Sequence, residues 1–127
     1  MLSGNRLSTG ANQGMRETIH LSSSNREELL DITDRVSEIV QHATIREGCC
    51  HVFCPHTTAG LTLNECADPS VAVDISCALG TLIADEGPWL HLEGNSPAHV
   101  KTSLVGSSVM VPVIDGELKL GRWQGIM

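Results

Sequence analysis

The sequence SSVMVPVIDGELKL, residues 107–120, predicts a β-hairpin near the end of the chain. Two apolar segments, 107–114 and 117–120, flank Asp115 and Gly116, a dipeptide typical of two-residue turns that need positive φ. Working back from this hairpin, strand and helix patterns mix without regular βαβ alternation. We therefore expect a single α+β domain in place of a doubly wound parallel sheet.

A first helix is predicted upstream of the hairpin. Ser24 followed three residues later by Glu27 matches a capping box, in which each side chain satisfies a free backbone amide at a helix start. Apolar residues then recur at spacings of three and four, which is typical of one buried helical face. We expect this helix to end near Ala43, before Gly48 turns the chain.

A second helix is predicted to start at Pro69, with Asp68 as the N-cap acceptor. It is expected to end near Asp85. Its predicted buried stripe consists of Val71, Ile75, Ala78, Leu79 and Leu82. The segment 86–98 contains two prolines and two glycines, so we expect a long loop there, and long loops in small domains are usually functional.

Three further segments, 16–21, 49–55 and 60–64, read as strands because they are short and contain apolar or β-branched residues. The segment between the last two is polar and small, and it contains a histidine and two threonines. Residues 1–14 are rich in Ser, Gly, Asn and Thr, so we interpret them as a disordered extension or leader, with the domain spanning 15–127.

The charge balance excludes some classes of partner. Fifteen acidic residues against eight basic ones give 127 residues a formal net charge of -7, which argues against binding to nucleic acid or to anionic lipid. No apolar segment approaches the length of about 20 residues that spans a membrane. The five cysteines form an odd set without a secretory signal, so we expect free thiols and a cytoplasmic protein.

Three histidines, His56, His91 and His99, lie in segments rich in small residues and form a candidate metal site. His91 and Glu93 are two residues apart, so in an extended segment both side chains point to one face. Imidazole is a common ligand of zinc, and three protein ligands leave one position open. Structural histidines with hydrogen-bonded rings explain the same pattern equally well.

Other polar residues could support such a site. Thr57 and Thr58 form either a tight turn or a cradle for an anion. Glu65 either precedes a helix or orients a histidine ligand. Lys101 and Arg122 are among the few cations of the second half, and each is either a surface charge or an anchor for an anionic substrate.

The motifs carry a resemblance. The segment HTTAGLTLNE (56–65), the later His91 with Gly94-Asn95 and Ala98-His99, and the closing LGRWQ (120–124) resemble the YjbQ-like family, whose members are widely described as secondary thiamine-phosphate synthases. The resemblance covers residues 16–127. Cys66 departs from the family pattern, because the family more often has a polar residue at that position. In relatives an acidic residue and an Asp-Gly-Pro-Arg tail usually follow the position that corresponds to 127, and this sequence does not include them.

The resemblance implies an α+β fold with a large mixed sheet or sandwich and two main helices, assembled as a cytoplasmic homotrimer. It implies that His56, His91 and His99 surround a divalent metal, with zinc expected and Mg²⁺ during turnover, near a subunit boundary. It also implies a transferase that joins a pyrimidine diphosphate to a thiazole phosphate and releases pyrophosphate.

In that mechanism the metal and Lys101 would neutralise pyrophosphate, with Thr57, Thr58 and Ser103 holding substrate oxygens. The residues expected at the reacting groups are Glu65, Glu93 and Asn95, as proton carriers or positioning groups. Two alternatives fit the same residues: a trimeric module that binds a metal or a small anion without turnover, and a metal-assisted phosphate-ester hydrolase.

Overall fold

The computed structural model describes residues 14–127, and this range contains three helices and five strands. The predicted extension 1–14 therefore lies, except for Gly14, outside the described residues. The elements in chain order are α1 (Thr33–His42), β1 (Gly48–Phe53), β2 (Leu63–Glu65), α2 (Pro69–Leu82), α3 (Ser96–Val105), β3 (Ser108–Ile114), β4 (Glu117–Leu118) and β5 (Gln124–Ile126).

The strands form two antiparallel sheets. One has the order β1-β3-β4, with Val52 opposite Val109, and the other pairs β2 with β5, with Leu63 opposite Ile126. The predicted α+β class is confirmed. The large mixed sheet implied by the resemblance is instead divided into these two small sheets, and a third helix joins the two that were expected.

The predicted hairpin of residues 107–120 is confirmed. Asp115 and Gly116 connect β3 to β4 with φ of 55° and 82°, the positive values that a two-residue turn of this kind requires. The predicted strand 49–55 corresponds to β1, whereas the strand expected at 60–64 is displaced to β2. No strand forms at 16–21, so that prediction is wrong.

The predicted start of the first helix is also wrong. Residues 24–27 form a bend, in which the carboxylate of Glu28, and not that of Glu27, accepts the Ser24 amide hydrogen bond. Helix α1 begins at Thr33, nine residues after Ser24. There the Asp31 carboxylate accepts a hydrogen bond from the Thr33 amide at 2.9 Å. Local bonds of this kind satisfy the backbone outside a helix and compete with helix formation. The end of α1 at His42 agrees with the prediction.

Helix α2 begins as predicted, because the Asp68 carboxylate accepts a hydrogen bond from the Ser70 amide at 2.9 Å. Three of the five residues in its predicted buried stripe are half-buried, and the other two are exposed. No residue of α2 is fully buried, Leu82 is 69% exposed, and the helix ends there, three residues before Asp85.

Helix α3 was not predicted, because its first turn lies inside the segment interpreted as a loop. Ser96 and Pro97 open it, and proline is tolerated in a first turn, where its missing amide hydrogen is not needed. Pro97 is buried, and Gly106 ends the helix with φ of 99°.

The core lies between α1 and the two sheets. Its buried members are Ile32, Val36, Leu61, Val111 and Ile126. Ile126 and Val111 are the most completely buried, at 0% and 1% exposure. The Ile32 amide donates to the Ile126 carbonyl at 2.9 Å, so the start of α1 is bonded directly to β5.

Candidate functional site

Two of the three predicted site histidines meet at the N-terminal end of α3. The His91 and His99 rings have centroids 5.3 Å apart and planes at 82°, an edge-to-face arrangement. His91 comes from the loop before the helix, and His99 lies in its first turns. We call these two residues the histidine pair.

Glu93 and Asn95 complete this cluster. The Glu93 carboxylate lies 3.5 Å from His91 Nε2 and also accepts a long hydrogen bond of 3.5 Å from the Asn95 amide group. The other amide atom, Asn95 Oδ1, is buried and has no hydrogen-bond partner. A buried acceptor without a partner costs on the order of 1–3 kcal/mol, so the cluster gains stability when a donor reaches it.

His56 does not join the pair. Its Nδ1 accepts a hydrogen bond of 3.2 Å from the Thr58 amide and lies 2.9 Å from the Thr58 hydroxyl. The segment that carries it is bonded to the far end of α3, because the Leu61 amide donates to the Gly106 carbonyl at 2.9 Å. A ten-residue helix is about 15 Å long, which separates the two ends.

The predicted zinc site is therefore wrong for a single chain. Among residues 14–127, no group of three or more His, Cys, Asp or Glu side chains is placed to hold a metal ion. The donor set of His56, His91 and His99 does not fit such an ion, because the Thr58 turn and the length of α3 keep its members apart. A divalent cofactor stays a prediction that would need donors from more than one copy of the chain.

The predicted substrate-binding residues lie at different places. Thr58 is engaged by His56, and Thr57 is exposed at the same turn. The Lys101 ammonium pairs with the Glu27 carboxylate, and its side chain is only 11% exposed. Ser103 donates its hydroxyl hydrogen to the His99 carbonyl at 2.9 Å, one helical turn away. Their predicted roles toward a substrate stay predictions.

Glu65 lies at a second place, a cleft of about 320 Å³ between β2 and the turn before β5. The cleft is lined by residues 63–65 and 121–124, and we call it the β2–β5 cleft. None of the hydrogen bonds found in the described range joins Glu65 to the histidine pair. The sequence predicted Arg122 as either a surface charge or an anchor for an anionic substrate, but it did not reveal that Arg122 and Glu65 line one cleft.

Two of the thiols, those of Cys50 and Cys66, are held in the protonated form. Burial, and then the neighbouring Asp31 carboxylate, raises the pKa of the Cys66 thiol. Burial, and then Cys49, also raises the pKa of Cys50. A protonated thiol is a poor nucleophile, so these two side chains act as packing groups. All five cysteines are free, as predicted.

No helix in the described part of the chain is both long enough and apolar enough to cross a lipid bilayer.

Comparison with known proteins identifies relatives along nearly the whole domain. The family model UPF0047 protein YjbQ-like matches residues 17–127. UPF0047 protein MJ1081 of Methanocaldococcus jannaschii is 46% identical over 84% of this chain and 77% of its own length. UPF0047 protein YugU of Bacillus subtilis is 42% identical over 88% of this chain and 86% of its own length.

Solved structures show the same fold. A YjbQ/UPF0047 protein from Clostridium acetobutylicum superposes with a TM-score of 0.82 at 48% identity, covering 84% of this chain and 82% of that one. A protein of unknown function from Sulfolobus solfataricus also gives a TM-score of 0.82, at 33% identity, over 85% of this chain and 79% of that one.

These comparisons overturn the predicted thiamine-phosphate synthase activity. The relatives carry only a family name, and the Sulfolobus protein is described as having no known function. The transferase prediction is therefore wrong, and zinc binding has no support among them either. The match over residues 17–127 and the identities above 40% show that the chain belongs to the UPF0047, YjbQ-like family.

Proposed function

We propose that this chain works as one protomer of a homotrimer and binds a small anion, such as a phosphorylated metabolite, at the histidine pair. The proposal rests on the edge-to-face contact of the His91 and His99 rings at the N-terminal end of α3. Their ring centroids are 5.3 Å apart.

The pair offers hydrogen-bond donors of the right kind. A neutral imidazole donates from one nitrogen and a protonated one donates from both. The Glu93 carboxylate lies 3.5 Å from His91 Nε2, so His91 faces a carboxylate and His99 does not. The His99 ring can therefore donate a hydrogen bond to an anion. The Glu93 carboxylate instead contacts His91 and accepts a hydrogen bond from Asn95.

The helix adds to this preference. No side chain caps α3, and its backbone dipole places partial positive charge at Ser96, beside the histidine pair. An anion that also carries a hydroxyl hydrogen, such as hydrogen phosphate, can satisfy acceptors in the cluster as well. A net charge of -7 opposes anions in general, so such local donors are needed for binding.

The loop around His91 supports assembly. Leu90 and Leu92 flank this histidine and are 93% and 100% exposed, which is unfavourable for two leucines of a lone monomer. A neighbouring copy that covered them would also remove water from the histidine pair. Hydrogen bonds to an anion are stronger in such a water-poor site.

A second exposed surface supports the same conclusion. The outer face of the β1-β3-β4 sheet displays Phe53, Met110 and Ile114, all exposed, while alternate residues point to the core. We call this surface the outer sheet face. A sheet face of this kind is typical of contacts between subunits, where apolar residues are covered on both sides.

The total exposed area is consistent with two missing neighbours. The chain exposes 9698 Å², whereas a compact monomer the size of residues 14–127 exposes about 6,100 Å². Even if the thirteen residues before Gly14 contributed the unfolded-chain limit of about 2,000 Å², an excess of about 1,600 Å² would remain. A protomer with two standard interfaces buries about 800 Å² in each.

Inorganic phosphate is the probe that tests the proposal. We expect phosphate at millimolar concentrations to shift the imidazole NMR signals of His91 and His99 saturably in the intact oligomer. His99→Asn should weaken binding about tenfold, the loss expected for one charge-assisted hydrogen bond. His20→Asn, which changes an exposed ring elsewhere, is the matched control.

Two results would contradict the proposal. One is the absence of any saturable shift at the histidine pair, and the other is an equal loss of binding in both variants. No step of the proposed function uses a metal ion, so the test is run with and without a chelator and should give the same result.

A further inference from the structure

We propose that the β2–β5 cleft is a second ligand site, which takes a small molecule with a planar aromatic ring and an oxyanion. This site is separate from the histidine pair and does not depend on it. The proposal rests on the Gly121–Gln124 turn, on the two side chains that this turn presents, and on Glu65 across the cleft.

The turn is closed by two hydrogen bonds. The Gln124 amide donates to the Gly121 carbonyl at 3.0 Å, and the Gly121 amide donates to the Gln124 side-chain oxygen at 2.8 Å. The Cys66 amide also donates to the Trp123 carbonyl at 2.9 Å, which fixes the turn to the end of β2. The two middle residues therefore project from a rigid backbone.

Those middle residues, Arg122 and Trp123, form a cation–π pair. The guanidinium carbon lies 5.8 Å from the indole centroid, and the tryptophan side chain is 59% exposed. A cation–π contact holds a guanidinium near the ring and leaves its N–H groups free to bind an oxyanion in a bidentate manner. A large exposed ring beside such a donor also provides a surface on which a planar ligand stacks.

The opposite wall has the complementary charge. Glu65 is half-buried on β2, directly opposite Gln124 in the strand register. Asn64 Oδ1 accepts a hydrogen bond from the Glu65 amide at 2.8 Å, so this wall is also held in place. An anion beside Glu65 would be repelled, whereas an amine or hydroxyl group of the ligand would be accepted there.

These contacts orient the ligand. Its oxyanion binds Arg122, its ring stacks on Trp123, and a donor group at its other end reaches Glu65. The site is a shallow depression open to solvent, and its volume of about 320 Å³ leaves room for a single substituted ring. Carboxylate and phosphate both match the guanidinium fork, and the experiment distinguishes them.

The test uses 4-aminobenzoate with the full-length protein carrying Trp89→Phe, so that fluorescence reports Trp123 alone. We expect saturable quenching, with binding about tenfold weaker in Arg122→Gln. Cyclohexanecarboxylate, which lacks the planar ring, should bind about tenfold less tightly in a competition assay. Glu65→Gln should weaken the binding of 4-aminobenzoate more than the binding of benzoate, because benzoate has no amine to contact Glu65.

Lys119→Gln removes a nearby exposed cation that does not line the cleft and is the matched control. Tighter binding of benzoate than of phenyl phosphate would assign a carboxylate ligand, and the reverse order would assign a phosphate. The proposal would be overturned by an absence of saturable quenching at millimolar ligand, or by equal effects of the Arg122 and Lys119 variants. His99→Asn should leave this binding unchanged.

Discussion

Gly125 and Cys66 are packed so closely that position 125 has no room for a side chain. A Cβ built on Gly125 would clash with the Cys66 sulfur and would lie 2.9 Å from its Cβ and 2.6 Å from Thr33 Oγ1. The backbone of strand β5 therefore packs directly against Thr33 of α1 and Cys66 at the end of β2. This close packing places the neighbouring Ile126 in the core.

Gly125→Ala should lower the free energy of unfolding by about 1–3 kcal/mol, because the added methyl group overpacks this contact. Urea denaturation monitored by circular dichroism measures the change. Combining it with Cys66→Ala, which removes the sulfur, should recover part of the loss. Strictly additive effects of the two substitutions would show that the two residues are not coupled.

The Asp31 carboxylate should make stability depend on acid pH. Burial tends to raise the pKa of Asp31, but hydrogen bonds from the Thr33 hydroxyl and amide outweigh it and hold the pKa below its usual value. A lowered pKa stabilises the fold above the unfolded-state value of about 3.9, and that contribution is lost as the pH falls through the folded value. We expect the Tm difference between the original chain and Asp31→Asn to be constant near neutrality and to shrink below about pH 4. Parallel Tm curves down to the acid limit would contradict this.

The ion pair of Lys101 and Glu27 should connect α3 to the segment before α1. The lysine side chain is nearly buried, so we expect Lys101→Met, which keeps the aliphatic stem, to cost about 1 kcal/mol. A double-mutant cycle with Glu27→Gln measures the coupling, which should decrease in high salt. If Lys101 instead binds a substrate, as the sequence predicted, the two substitutions will be additive.

The outer sheet face should control assembly. Met110 is 63% exposed in the single chain, so Met110→Lys costs little in the folded protomer but introduces a charge into the proposed contact. We expect light scattering to give a trimer for the original chain and a smaller species for the variant. Glu38→Lys, an exposed change on α1, is the control and should leave the trimer intact. A monomeric original chain would contradict the proposal.

Elements with strong local chemistry were predictable from the sequence. Asp115 and Gly116 adopt the positive φ of a two-residue turn. Asp68 and Pro69 begin α2. Both features depend only on residues that are adjacent in the sequence. The capping pattern at Ser24 failed for the opposite reason. A capping box indicates a helix only if no nearby carboxylate satisfies the same amide, and Glu28 does so here.

The candidate site was predictable only in part. His91, Glu93, Asn95 and His99 are close in sequence and meet because α3 begins between them. His56 was grouped with them by residue type, and spacing along the chain does not reveal that the Leu61–Gly106 bond places it at the other end of α3. The β2–β5 cleft joins segments almost sixty residues apart, so no local pattern contains it.

The pairing of β2 with β5 also determines when the core around Ile126 can close. Ile126, the most deeply buried side chain, comes from the last strand, and its partner Leu63 lies near the middle of the chain. During synthesis the apolar surface of Ile32, Val36 and Leu61 therefore emerges long before the residue that covers it. The nascent chain depends on late, non-local closure, which is slow and leaves it open to aggregation or to chaperone binding until position 126 is free.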